Sequence, residues 1–171
     1  MRAPIESGCP DGMQYMHPLM IKNCGNWRYH GRPRPGVLHH VAYAGDEIWT
    51  VRVGTQRQLG PYEINLLCDI VDKYGEGFVR FTIRSNLEVM VSKWEKVGPL
   101  IQAFNDAGYP VGGTGNSVTM ISHTQGWLHC DIPGTDASGV VKSLMDELYE
   151  EFIKEEMPSR VHITTSCCQI N

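Results

Sequence analysis

The sequence holds 171 residues, of which 42% are hydrophobic and 20% charged, with a formal net charge of −4. That is room for one domain, or one and a piece of another, with enough apolar content for a core. The missing basic excess argues against wholesale nucleic-acid binding, because a surface that tracks phosphates needs one. No run approaches the roughly 20 apolar residues of a membrane span, and no basic segment followed by a long apolar stretch opens the chain, so a cytoplasmic protein is expected.

Residues 1–45 are rich in Pro, Gly and basic side chains (His17-Pro18, Gly31-Arg32-Pro33-Arg34-Pro35-Gly36) and lack sustained periodicity. They read as an extended arm. Its apolar residues Met16, Leu19, Met20, Ile21 and Trp27 call for cover from another domain or a partner subunit. From Asp46 the pattern becomes regular. Glu47 to Val53 alternates apolar and polar with β-branched residues, as a strand does. Pro61 opens a helix where its missing N–H costs nothing, Leu66, Ile70 and Tyr74 with Leu67 and Val71 mark its apolar stripe, and Gly75 and Gly77 end it. Phe78 to Arg84 and Leu87 to Val91 are two further strands joined at Ser85-Asn86. A second helix runs from Lys93 to Asp106, with Val97, Leu100, Ile101 and Phe104 on one side. The order β-α-β-β-α is most of a ferredoxin-like unit.

After the Gly112-Gly113-Thr114-Gly115 loop a new apolar stretch begins, Val118 to Ile121. A helix follows over about Asp136 to Lys154, with Asp136 as N-cap and Val141, Leu144, Leu148 and Phe152 on one face. Val161 to Thr165 is the last strand and runs into Cys167-Cys168. No closing element follows, so truncation is expected.

Six cysteines with no sign of export are expected as thiols, some of them metal ligands. Three of them, Cys130 and the adjacent Cys167 and Cys168, come from two segments separated by one helix. Soft thiolates so placed suit an iron–sulfur cluster or zinc, although a buried Cys is also common as a plain core residue. His123-Thr124-Gln125-Gly126-Trp127-Leu128-His129-Cys130 concentrates two imidazoles, an indole and a thiol. It reads either as a core strand with a buried Trp or as a cofactor wall. Arg52, Arg57, Arg80 and Arg84 lie in or beside strands. They face solvent, or converge to bind carboxylates or a small oxyanion bidentately. Gly112 to Gly115 is a plain turn or a backbone cradle for an anion. It lacks the Lys-Ser/Thr ending of a Walker loop, and no hydrolase motif is present.

Taken together, Gly36-Val37-Leu38, Thr50 to Gly54, Cys68 to Tyr74, Arg80 to Asn86, Gly112 to Gly115, His123 to Cys130, Thr135 to Gly139 and Cys167-Cys168 resemble the β subunits of dissimilatory-type sulfite reductases over nearly the whole chain. The resemblance implies an α+β fold. A ferredoxin-like half-domain (β-α-β-β-α) over 46–111 would follow the arm and precede, over 112–171, the truncated start of a siroheme/[4Fe–4S]-binding α/β domain. It implies siroheme and a [4Fe–4S] cluster, with Cys130, Cys167 and Cys168 as three of the cluster's four ligands. The fourth would be the residue after Asn171, so these 171 residues alone are expected not to assemble the cofactor. Arg84, then Arg52 and Arg80, would meet siroheme or bound sulfite. Gly112, Gly113, Thr114, Gly115, His123, Thr124, Gln125 and His129 would line the cofactor.

The implied activity is multi-electron interconversion of sulfite and reduced sulfur. The partners would be an α subunit in an α2β2 assembly and a small sulfur-carrier protein. The ending Cys167 to Asn171 looks closer to the form that runs toward sulfite. A non-catalytic metal- or iron–sulfur-binding module is the alternative.

Overall fold

A computed structural model describes residues 12–124 and 126–169. Its main sheet has five antiparallel strands in the order β1-β2-β3-β5-β4. These are β1 (Trp27–Arg34), β2 (Val37–Ala42), β3 (Glu47–Gly54), β4 (Val79–Phe81) and β5 (Asn86–Val91). Residues 27–42, where an extended arm is expected, form a hairpin that continues the sheet. Its signal is weak because β1 is an edge strand whose pairing slips between Trp27 and Tyr29 and between Gly31 and Arg34. Such irregularities erase the two-residue period on which a strand is recognised.

Alternation sends the two faces of the sheet to different environments. Val51 and Val53 on β3, and Leu87, Val89 and Val91 on β5, face α2 (Pro61–Tyr74) and α3 (Val97–Asp106). The helices answer with Leu67, Ile70 and Val71, and with Val97, Leu100, Ile101 and Phe104. This is the core, and the helical stripes and both helix starts match the expected ones to within a turn. The opposite face carries Thr50, Arg52 and Glu88, all buried although polar. Beyond Val37, where β2 begins, residues 110–112 take its place along β3: Gly54 N–H donates to Pro110 O and Gly112 N–H to Arg52 O.

The second unit is a parallel pair, β6 (Val118–His123) and β7 (Val161–Thr165), joined by α4 (Ala137–Glu147) and α5 (Tyr149–Ile153). Asp136 caps α4 as expected, accepting from Gly139 N–H at 3.1 Å. The single expected helix is broken at Leu148. The break serves packing, since Phe152 of α5 lies against Gly54, Gly112 and Gly113. A Cβ at Gly112 would stand 2.2 Å from the Phe152 carbonyl oxygen, so only glycine admits this approach.

Ahead of the hairpin, the short α1 (Pro18–Lys22) is tied down by His17. His17 Nδ1 accepts from Leu19 N–H at 3.2 Å, which leaves Nε2 to donate to Glu76 at 2.7 Å. Glu76 also accepts from Ser92 N–H, Ser92 Oγ and Lys96 Nζ. Burial alone would raise this carboxyl's pKa, yet hydrogen bonds from His17, Lys96 and Ser92 outweigh it and bring it from 4.5 to about 2. A depressed carboxyl stabilises the fold in full above its unfolded pKa and loses that contribution as pH falls through the folded one. Glu76→Gln should therefore lower the urea midpoint at neutral pH, and the gap to wild type should close between pH 4.5 and about 2. A gap of constant size down to the lower end would contradict this.

Candidate functional site

Arg52, Glu88 and Arg80 form one cross-strand row on the polar face of the sheet. Arg52 pairs with Glu88 across β3 and β5, and Arg80 pairs with Glu88 across β4 and β5. The Glu88 residue is 1% exposed. Arg52 donates to its Oε1 from Nε at 3.0 Å and from Nη2 at 2.8 Å, and Arg80 donates to Oε2. Two guanidiniums thus satisfy both oxygens of a buried carboxylate, which makes the burial tolerable. Arg52 also donates from Nη1 to Gly113 O at 2.6 Å, so the same side chain ties the sheet to the glycine loop.

Arg84 differs from its neighbours. The turn that carries it is ordered by Thr82, whose Oγ accepts from the N–H groups of Arg84 and Asn86, and Ser85 takes a positive φ of 58°. No side-chain hydrogen bond or ion pair holds the Arg84 guanidinium among the described residues. Its pKa is lowered by burial, then by the charges of Arg52, Arg160 and Arg80, with Glu88 opposing. A half-buried cation with no side-chain partner among the described residues, set among other cations, suits an anion. Phe81 and Ile83, 73% and 94% exposed, alternate with these arginines. They border an open cleft of about 280 Å³ that also includes Thr55, Arg57 and Asn86. Arg84 itself does not line this cleft.

The other expected arginine, Arg57, donates to His123 O at the end of β6. The glycine loop is a joint between the two units. Gly112 N–H and Gly113 N–H donate to Arg52 O and Phe152 O, Thr114 Oγ accepts from Gly36 N–H, and Gly115 O accepts from Arg160 Nε at 3.5 Å. The donors of both leading glycines are therefore spent on the protein itself.

The thiols meet at the C-terminal ends of β6 and β7. After His123 the chain leaves the strand. Gly126, at φ +59°, starts a short 3₁₀ turn over Gly126–Leu128, and Cys130 N–H returns to Gly126 O at 2.9 Å. Thr124 Oγ accepts from Cys167 N–H at 3.0 Å, and Cys167 O accepts from the N–H groups of Gly134 and Thr135. The buried Cys167 thiol is held below its usual pKa by a hydrogen bond with Thr124, against the opposing effect of burial. The Gly126 backbone and the thiols of Cys168 and Cys130 add to the lowering. Cys130 and Cys168 thus lie within reach of the Cys167 sulfur. Cys167 and Cys168, with Ile132, Gly134 and Thr135, line an open cleft of about 600 Å³.

Trp127 is 67% exposed, not the buried core side chain that a strand through this segment would make it. His129 is exposed as well, while His123 is half-buried and donates from Nδ1 to Thr124 O. Gln125 lies outside the described residues. No group of three or more His, Cys, Asp or Glu among the described residues has the arrangement of a metal site. The donor chemistry nevertheless fits an iron–sulfur cluster, which takes soft thiolates in a low-pKa, hydrogen-bonded setting.

Two residues of this site escape the motif search, Glu88 and Arg160. Glu88 had a signal: a lone acid in the otherwise apolar strand Leu87 to Val91, in register with an arginine on either side. Arg160 precedes β7 in a polar loop and had none.

Residues 40–107 match the family described as the nitrite/sulfite reductase ferredoxin-like half domain. The chain is similar to proteins named dissimilatory-type sulfite reductase subunit β. It is 44% identical to that of Archaeoglobus fulgidus, over 94% of this chain and 46% of the relative. For Nitratidesulfovibrio vulgaris the identity is 45%, over 91% of this chain and 42% of the relative. For Megalodesulfovibrio gigas it is 43%, over 91% and 62%. The chain spans about half the length of the curated relatives it matches. A crystal structure of dissimilatory sulfite reductase I superposes with a TM-score of 0.76 at 14% identity, over 93% of this chain and 43% of that one. The NirA protein of Mycobacterium tuberculosis does so with 0.55 at 15%, over 80% and 25%. These two show the fold, an α+β arrangement with the ferredoxin-like half-domain expected from the element order.

The buried row sets a stability test. Arg52→Gln leaves a buried carboxylate with Arg80 as its single charged partner, and urea unfolding should register a loss of about 3–5 kcal/mol. A loss below about 1 kcal/mol, the range of a surface pair, would show that Glu88 does not depend on Arg52.

Proposed function

We propose that this chain belongs with the β subunits of dissimilatory-type sulfite reductases, to which it is similar, and contributes one wall of a siroheme and [4Fe–4S] centre that interconverts sulfite and reduced sulfur. The observation that carries the proposal is the approach of Cys130 and Cys168 to the Cys167 sulfur, in the same chain as an arginine that has no side-chain partner among the described residues. Siroheme coupled to a cluster, when bound, would supply the electrons of a multi-electron sulfur reduction or its reverse.

The chain's own residues have three tasks. Cys130, Cys167 and Cys168 would hold the cluster as thiolates, with Thr124 and the Gly126 N–H stabilising the sulfur charge on Cys167. Arg84 would receive an anion, either a carboxylate of the tetrapyrrole or the sulfite oxygens, and stabilise negative charge there without reorganising. Arg52 and Arg80, held by Glu88, would add a fixed positive field and keep the wall rigid. The exposed Phe81, Ile83, Trp127 and Ile132 would be covered by the cofactor and by an α subunit, with a small sulfur-carrier protein delivering or accepting sulfur. Among the described residues no helix is long and apolar enough to cross a membrane.

The test is an anaerobic absorbance spectrum with iron and siroheme quantitation on the complete β subunit co-produced with an α subunit, beside a Cys130→Ser variant. Siroheme bands and cluster iron should be present in the first and strongly reduced in the second. Colourless protein carrying zinc or no metal in both would instead make this a non-catalytic binding module.

A further inference from the structure

We propose that Glu88 is a positioning residue for anion binding: by taking Arg52 and Arg80 as its own partners, it reserves Arg84 for the incoming anion. The inference rests on the proposal above that Arg84 meets an anion, and goes beyond it in assigning a task to a carboxylate inside a cationic site.

The guanidiniums of Arg52, Arg80 and Arg160 lie close enough to act on that of Arg84. Among the described residues, Glu88 is the carboxylate that acts on it with them. Left to themselves, several cations of equal reach would offer an anion several poses. Glu88 removes that choice for two of them. Arg52 is fixed on three donors, two to Glu88 Oε1 and one to Gly113 O, and its side chain is 10% exposed. Arg80 is anchored only at its tip, on Oε2, and 57% of its side chain is exposed. It is therefore the arginine that Glu88 actively restrains. Arg160 keeps a long bond to Gly115 O. Among the described residues, Arg84 is the one of the four that combines partial burial with no side-chain partner, and its turn is locked by Thr82. A carboxylate in this place lowers the total positive charge, which a merely attractive site would not do. Its worth lies in selecting one guanidinium in one orientation.

A Gln at position 88 keeps a carbonyl for Arg52 but turns an amide N–H toward Arg80, which cannot accept it. Arg80 is then released next to Arg84. The consequence is a rescue that a purely structural role does not produce.

The experiment uses the complete β subunit assembled with its α subunit. It measures siroheme per assembly and the sulfite dissociation constant from the shift of the siroheme absorbance. Arg84→Gln should lower one of these quantities about tenfold, the worth of one charge-assisted hydrogen bond. Loss of siroheme identifies the anion as a tetrapyrrole carboxylate, and loss of sulfite affinity identifies it as the small oxyanion. Adding Glu88→Gln to Arg84→Gln should then recover about threefold of that loss, as the freed Arg80 substitutes. The same comparison with Arg52→Gln also present removes the cation left unpaired at its core, and serves where Glu88→Gln alone fails to assemble. A double or triple variant no better than Arg84→Gln alone overturns the positioning role while leaving Arg84 as the anion contact. If Arg84→Gln changes neither quantity, the anion site itself is refuted, and the role of Glu88 with it.

Discussion

A carboxylate buried in the middle of a sheet has to be neutralised, and the Glu88 carboxylate is neutralised by arginines on the strands to either side. Burying a charge without partners is prohibitive, and a pair is tolerated only when hydrogen bonds satisfy the remaining lone pairs. Both oxygens of Glu88 are satisfied, and Arg52 carries the constraint onward to the carbonyl of Gly113. The register of three strands and the seating of the glycine loop thus depend on one row of charges. Polar networks of this sort specify a single arrangement because a half-satisfied version is costly.

The division of labour between the faces of the sheet follows from the period of two. One face is closed by α2 and α3 with apolar side chains. The other collects the arginines and meets the β6–α4–α5–β7 unit, whose strand ends bring the three thiols together. Phe152 and the glycines at 112 and 113 form the joint, and its close approach fixes how the thiol cluster sits relative to the arginine row. A substitution at the joint would therefore be felt at the site without touching a thiol or an arginine.

What was legible in the sequence follows from how local its causes were. The helices α2, α3 and α4 announce themselves through apolar spacing, Pro61 and the Asp136 cap, all within a turn or two of chain. The β1–β2 hairpin was not legible, because slipped register and solvent on one side leave no alternation to read. The break at Leu148 is set by where Phe152 must pack, a contact with glycines some forty residues away, and no local signal marks it. At the site, the sequence named Cys130, Cys167 and Cys168 and Arg52, Arg80 and Arg84, and each set lies together in the fold. It could not tell a restrained arginine from a free one, since Arg80 and Arg84 differ only in which of them lies opposite Glu88. Of the two readings of the segment His123 to Cys130, the core strand with a buried Trp127 fails because the strand ends at His123, just before the turn that Gly126 makes.

The coupling between Arg52 and Glu88 is the most direct measure of whether the row governs the fold. A double-mutant cycle of Arg52→Gln and Glu88→Gln, followed by urea unfolding, isolates it from the other partners of each residue. The pair should show a coupling of about 2–3 kcal/mol, with the double variant more stable than the sum of the singles allows, because each single change strands a buried charge. Additivity within about 0.5 kcal/mol would mean that the two residues act independently, and that the site is held together by something other than this buried row.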